Sequence, residues 1–222
     1  MWRSVLCAFI AFTPGGTAPA RADAPIAVLE RRALAVAFES STQPTHRLSV
    51  TLAYLDEAWR ADAIAAALLE SARILGQCGV ALSDAELVRL DAPPRFHDFD
   101  TPASRELART LRLPRPTVYF VAGTRQDPAF EAEAIGRANS GTRPELADTV
   151  WVTRGARDLG IVLAHELAHV LMDSGEHSEE PANLMREDTA PRNTRLDTAQ
   201  CARLRETATA NGLLRPLATG SR

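Results

Sequence analysis

The sequence predicts a single α+β domain, and three stretches carry that expectation. Arg47–Leu55 alternates apolar and polar residues, the pattern of a half-buried strand. Ala61–Leu75 is rich in alanine and leucine at helical spacing and stops at Gly76 and Gly79. A nearly continuous apolar run from about Asp158 to Met172 is long enough for a second, buried helix. At 222 residues, 45% hydrophobic and 24% charged, the chain has the composition of an ordinary globular protein; two full domains would be a tight fit.

The first 22 residues read as a secretory signal. Met1-Trp2-Arg3 gives a positive start, and Val5–Phe12 is an apolar run too short to span a bilayer. Ala20-Arg21-Ala22 fits the small-x-small pattern before a cleavage ahead of Asp23. An uncleaved N-terminal helix is the alternative. Export implies a secreted or periplasmic protein with no stable membrane span after cleavage. Cys7 leaves with the signal, so Cys78 and Cys201 remain. An even pair in an oxidising compartment favours a disulfide, two buried free thiols being the other possibility. The basic residues are all arginine, the formal net charge is −3, and no dense basic run occurs, so nothing argues for nucleic-acid binding.

Residues 23–45 form an N-terminal segment of open role: a leader, a tether or a first strand. The main domain is expected over 46–222. After the strand and helix already named, Val80–Leu82 and Glu86–Leu90 offer one or two short strands, and Asp91–Pro102, with three prolines, reads as a loop. His97 lies in that loop, where ordinary surface placement outweighs a second metal or substrate contact. A shorter helix is expected over Ser104–Leu113, then a buried strand at Pro116–Ala122. A weak strand at Ala134–Ala138, a turn at Asn139–Gly141 and a stronger strand at Thr149–Thr153 follow. A last helix starts near Thr194 or Asp197, carries Cys201, and stops at Asn211-Gly212.

Three of the five histidines, His165, His169 and His177, fall within thirteen residues of one another. His165 and His169, four apart on the apolar helix, project from one face, an arrangement that suits two ligands of a tetrahedral zinc ion. Glu166 is placed to stand beside such a metal rather than on it, where a carboxylate can take a proton from zinc-bound water. Ile161, Val162, Leu163, Leu167 and Leu171 would anchor the helix in a core. A third ligand is required. Asp173-Ser174-Gly175 can end the helix, because glycine tolerates a left-handed conformation. The chain can then return His177 to the metal. Asp173 is the competing ligand, and Glu187 a more distant one, set against by Pro191 just after it.

His165-Glu166-x-x-His169, a near third histidine and a downstream methionine resemble the metzincin zinc peptidases. The stretch from His177-Ser178 to Leu184-Met185 is similar to the matrix-metalloproteinase branch in particular. The family pattern places a glycine where Met172 stands and its third histidine where Gly175 stands, so His177 arrives two residues late. The resemblance implies a zincin/metzincin-like fold: a twisted mixed sheet, a long first helix, a metal-site helix and a C-terminal helix. It also implies Met185 in a structural turn beneath the metal, and an antiparallel edge strand at Ala134–Asn139 able to pair with extended peptide. The function it implies is zinc-dependent metalloendopeptidase. One catalytic Zn2+ would be held by His165, His169 and His177, with Glu166 as general base and a peptide or protein as substrate. The alternatives are a non-catalytic, zinc-stabilised binding protein of the same fold and an interaction domain without metal.

Overall fold

The computed structural model describes residues 24–37, 43–55, 58–125 and 143–218, and the backbone of 134–137. The proposed signal and the turn expected at Asn139–Gly141 lie outside the described residues. In chain order the elements are β1 (Ala27–Leu34), β2 (His46–Leu55), α1 (Ala61–Leu75), β3 (Val80–Asp91), β4 (Asp98–Phe99) and α2 (Thr101–Leu111). Then come β5 (Thr117–Phe120), β6 (Gly123–Thr124), β7 (Ala134–Arg137), β8 (Thr149–Val152), α3 (Leu159–Met172), α4 (Thr198–Ala210) and β9 (Leu214–Pro216).

The main sheet runs β1-β3-β2-β5-β8-β7. Its four central strands, β3, β2, β5 and β8, are parallel, while β1 and β7 lie antiparallel at the two ends. β9 pairs antiparallel with His46–Leu48, the part of β2 that β5 leaves uncovered. β4 and β6 form a separate two-stranded pairing. Alternation along the central strands divides the apolar residues between two cores. Leu52, Val118 and Val150 face α1, α3 and α4. Ala53, Tyr119 and Trp151 face the other way, onto Leu107 and Ala108 of α2. There Trp151 stacks on Tyr119, with ring centroids 4.3 Å apart. The mixed sheet with helices on both faces is the fold class expected from the sequence.

Where the elements differ from expectation, the reasons are local. The polar Ser83-Asp84 step suggests a break between two strands, but β3 continues through it. The pairing slips by one residue there, since Leu48 faces Leu82 while Ser49 faces Asp84, so Ser83 is the extra residue of a bulge. The proline-rich loop is shorter than it reads. Pro102 occupies the first turn of α2, where a missing N–H costs nothing, and the helix begins at Thr101. The segment of open role supplies β1, joined to β3 along its length.

Two glycines permit close approaches. Gly79, at φ +70°, ends the turn after α1 against Thr45. Gly160, in the first turn of α3, lies against α1 so closely that a Cβ there would come within 2.6 Å of the Glu70 Cβ. α3 is thus drawn onto α1, and every residue from Gly160 to Met172 is buried. Each large aliphatic side chain buried this way contributes about 1.5–3 kcal/mol, so packing rather than helix propensity holds α3 in place.

Cys78 and Cys201 form a disulfide with a Cα–Cα distance of 4.8 Å, tying the end of α1 to the first turn of α4. Gln77 reinforces the same junction by donating to the Thr194 carbonyl at 2.7 Å. The bridge closes 123 residues of sequence separation. Replacing both cysteines by alanine should therefore lower the unfolding free energy by about 2–5 kcal/mol in denaturant titration. An unchanged midpoint would show that the bridge constrains nothing.

Candidate metal centre

α3 carries the first two histidines and ends immediately beyond them. Asp173 adopts the left-handed conformation, φ 46°, and the backbone closes around it. The Asp173 N–H donates to the Val170 carbonyl at 3.2 Å and the Ser174 N–H to the His169 carbonyl at 3.1 Å. That pair of bonds satisfies two of the carbonyls a helix end leaves without partners. The sequence suggests Gly175 for the left-handed role, but Asp173 takes it; aspartate is among the few residues that tolerate this region. With its backbone serving as the helix stop, the Asp173 side chain is exposed.

The same stop orients a ring. His169 Nδ1 lies 2.6 Å from the Ser174 carbonyl. His165 Nδ1 lies 2.7 Å from the Leu184 carbonyl. A carbonyl can only accept, so each Nδ1 carries the proton and each Nε2 presents a lone pair inward. The His169 Nε2 is 2.9 Å from His165 Nε2 and 3.3 Å from His177 Nε2. All three ligand atoms lie within 4.8 Å of one another, so His165, His169 and His177 can hold a metal ion. Inward lone pairs at 2.9 Å repel unless a cation lies between them. Three imidazoles on a tetrahedral zinc ion would stand about 3.3 Å apart, from Zn–N bonds of about 2.0–2.1 Å. The 2.9 and 3.3 Å separations come near that spacing, and with the remaining pair within 4.8 Å a small movement of the exposed His177 lets the donor set take such an ion.

Burial sets the protonation of the pair. The His165 pKa is pushed down to about 4, first by burial and then by the neighbouring His169, against the Leu184 carbonyl, which raises it. Burial also lowers that of His169, opposed by the Ser174 carbonyl. Neutral rings are what a metal requires. Glu166, next to His165 on α3, is buried as well.

The other expected residues are placed as follows. Met185 is buried in a turn that its own backbone closes: Asn183 Oδ1 accepts its N–H at 2.8 Å, and its carbonyl accepts from Ser178 N at 2.7 Å. Glu187 is exposed and outside any helix. Neither it nor Asp173 belongs to the histidine cluster. His97 is engaged elsewhere, its Nε2 2.9 Å from the Ala92 carbonyl. Sequence reading missed the Leu184 and Ser174 carbonyls, which have no residue-type signature, and the side chains of Asn183 and Gln200 behind them. Asp197-x-x-Gln200 does carry a recognisable pattern, that of a capping box at the start of α4.

No family model matches the chain, and no curated protein sequence matches it. Among solved structures it is similar to metalloproteinase-II from Bacteroides fragilis, with a TM-score of 0.50 and 14% sequence identity. The match covers 79% of this chain and 57% of the other, so the chain spans little more than half the length of that neighbour. Identity this low speaks for the fold alone. The protein therefore has a metalloproteinase-like mixed α/β fold, and three histidines able to hold a metal ion lie within it.

Two measurements check this geometry. Metal content after purification without chelator should fall sharply in His177→Ala and stay near wild type in Asp173→Asn, which keeps a residue suited to the left-handed stop. The reverse pattern would make Asp173 the ligand. In the metal-free protein, unfolding releases His165 from a pKa of about 4 to the ordinary histidine value near 6.5. The unfolded ring therefore takes up protons first, and stability falls as pH drops from about 6.5 towards 4, by about 3 kcal/mol at most. His165→Asn should flatten that part of the stability curve measured by denaturant titration in chelator.

Proposed function

We propose that the protein is an exported, zinc-dependent metalloendopeptidase. The observation that carries this reading is the convergence of three imidazole Nε2 atoms, two of them aimed by ring N–H bonds to carbonyls, with the buried Glu166 next to His165 on the same helix. Three histidines leave a fourth tetrahedral position open, as catalytic zinc sites do and structural ones do not. Bound by His165, His169 and His177, a zinc ion would supply Lewis acidity, polarising a peptide carbonyl and making water nucleophilic near neutral pH. Glu166 takes the proton from the attacking water and passes it to the leaving amine, the role a carboxylate adjacent to the first histidine is placed to perform.

Substrate binding follows from the sheet. β7 lies at one end of the main sheet, antiparallel to β8, the strand that leads into α3. An extended peptide can add to such an edge through its backbone, which gives affinity without demanding a particular side chain. The closer kinship with the matrix-metalloproteinase branch rests on the sequence alone, on the passage from His177-Ser178 to Leu184-Met185. Export is supported by the signal-like N-terminus and by the disulfide, a bond that persists in oxidising compartments. Among the described residues, no helix is long and apolar enough to cross a membrane.

The decisive variant is Glu166→Ala. Hydrolysis of a broad peptide library should fall by at least about a hundredfold, the scale of a lost general base, while bound zinc stays near one per chain. Full activity in that variant would overturn the mechanism. A wild type that binds zinc stoichiometrically yet cleaves nothing would point instead to a zinc-stabilised binding protein.

A further inference from the structure

The Leu184–Met185 peptide unit is held on both sides. Its carbonyl accepts the ring N–H of His165 at 2.7 Å. Its N–H donates to Asn183 Oδ1 at 2.8 Å. Because the peptide is planar, rotating it to weaken one bond weakens the other. Asn183 is itself fixed, being only 5% exposed and engaged in a reciprocal amide pair with Gln200. Asn183 Nδ2 donates to Gln200 Oε1 at 2.9 Å, and Gln200 Nε2 donates back to Asn183 Oδ1 at 3.1 Å. Gln200 is locked in turn by the capping box of α4. Its backbone N–H donates to Asp197 Oδ1 at 2.7 Å, and its Oε1 accepts the Asp197 N–H at 2.9 Å. A continuous series of hydrogen bonds thus runs from the first turn of α4 to the ring of His165.

We propose that Gln200 and Asn183 are positioning residues of the metal centre: their amide pair fixes the Leu184–Met185 peptide, which sets the direction of His165 Nε2. The proposal rests on the reading of the three histidines as metal ligands. It follows from the balance of donors and acceptors. Asn183 Oδ1 serves two donors at once, and Gln200 Oε1 likewise, so neither amide can flip without setting N–H against N–H. A network whose every member is satisfied is stiff, and each bond polarises the next. The N-terminal turn of α4, more than thirty residues beyond His165 in sequence, is in this way part of the site. Cys201, adjacent to Gln200, anchors that turn to α1 through its disulfide.

The test separates positioning from simple helix stability. Gln200→Ala removes the amide pair and one half of the cap. Asp197→Ala removes the other half of the cap and leaves the pair. Metal affinity is read by chelator competition with zinc, and ligand geometry by the visible absorption spectrum of the cobalt(II)-loaded protein. Gln200→Ala and Asn183→Ala should bind metal about 10–100-fold more weakly, the range seen when an outer partner of a metal-bound histidine is lost. They should also show a shifted cobalt spectrum. Asp197→Ala should melt earlier without metal but keep wild-type affinity and spectrum. Should Gln200→Ala fail to fold, Gln200→Glu decides: it retains the acceptor and replaces the donor to Asn183 by a carboxylate oxygen that cannot donate, so weaker metal binding with unchanged circular dichroism is expected. Wild-type affinity and spectrum in either folded Gln200 variant would overturn the proposal. A wild type that takes up neither zinc nor cobalt would overturn the ligand reading, and this proposal with it.

Discussion

An imidazole in a dry core has two nitrogens and cannot leave either idle. One must be given a partner if the other is to be a clean lone-pair donor, and in this fold that partner is each time a backbone carbonyl. The choice has a structural consequence. Carbonyls belong to the main chain, so the ring directions of His165 and His169 are set by where the chain turns after α3. The helix stop at Asp173 supplies the Ser174 carbonyl; the Met185 turn supplies that of Leu184. Everything from α3 to α4 has to be in register before the two lone pairs meet.

The late arrival of His177 follows from the same economy of bonds. The residue after α3 is occupied as a left-handed stop, and the next has its carbonyl committed to His169. Neither is available to turn the chain directly back towards His165 and His169. The additional residues of the loop, through Gly175 and Glu176, provide the reach, and the far side is closed by the backbone bond from Ser178 to Met185. Glu176 also meets Arg203 of α4 at 2.8 Å, an exposed pair worth little in energy. His177 is the exposed one of the three histidines, whereas His165 and His169 are carried by a buried helix.

Much of this was legible in the sequence, and what was not has physical causes. Ala61–Leu75 is read to its boundaries because helix propensity and burial agree there. His165, His169 and Glu166 are visible because helical spacing converts directly into direction. The β3 bulge at Ser83 was hidden, since a polar step in a strand has the same composition whether it breaks the strand or kinks it. β1 was ambiguous because an edge strand with six exposed residues has no buried face to impose alternation. The Asp173 stop was assigned to a neighbouring glycine by propensity, while packing around the end of α3 selected the aspartate. The amide pair of Asn183 and Gln200 joins residues seventeen apart through a fold that no local pattern encodes.

The disulfide illustrates how far that non-local order extends. It does not touch the histidines, yet it joins α1, against which α3 packs through Gly160, to the turn of α4 that holds Asn183. Both supports of the His165 ring, the helix that carries it and the peptide that aims it, are thereby referred to one covalent junction. A ligand geometry tolerant of only small displacements needs its two frames fixed relative to each other, and hydrogen bonds at a solvent-facing helix end open readily on their own. A cross-link at that place restrains the relative motion of α1 and α4 without entering the histidine cluster.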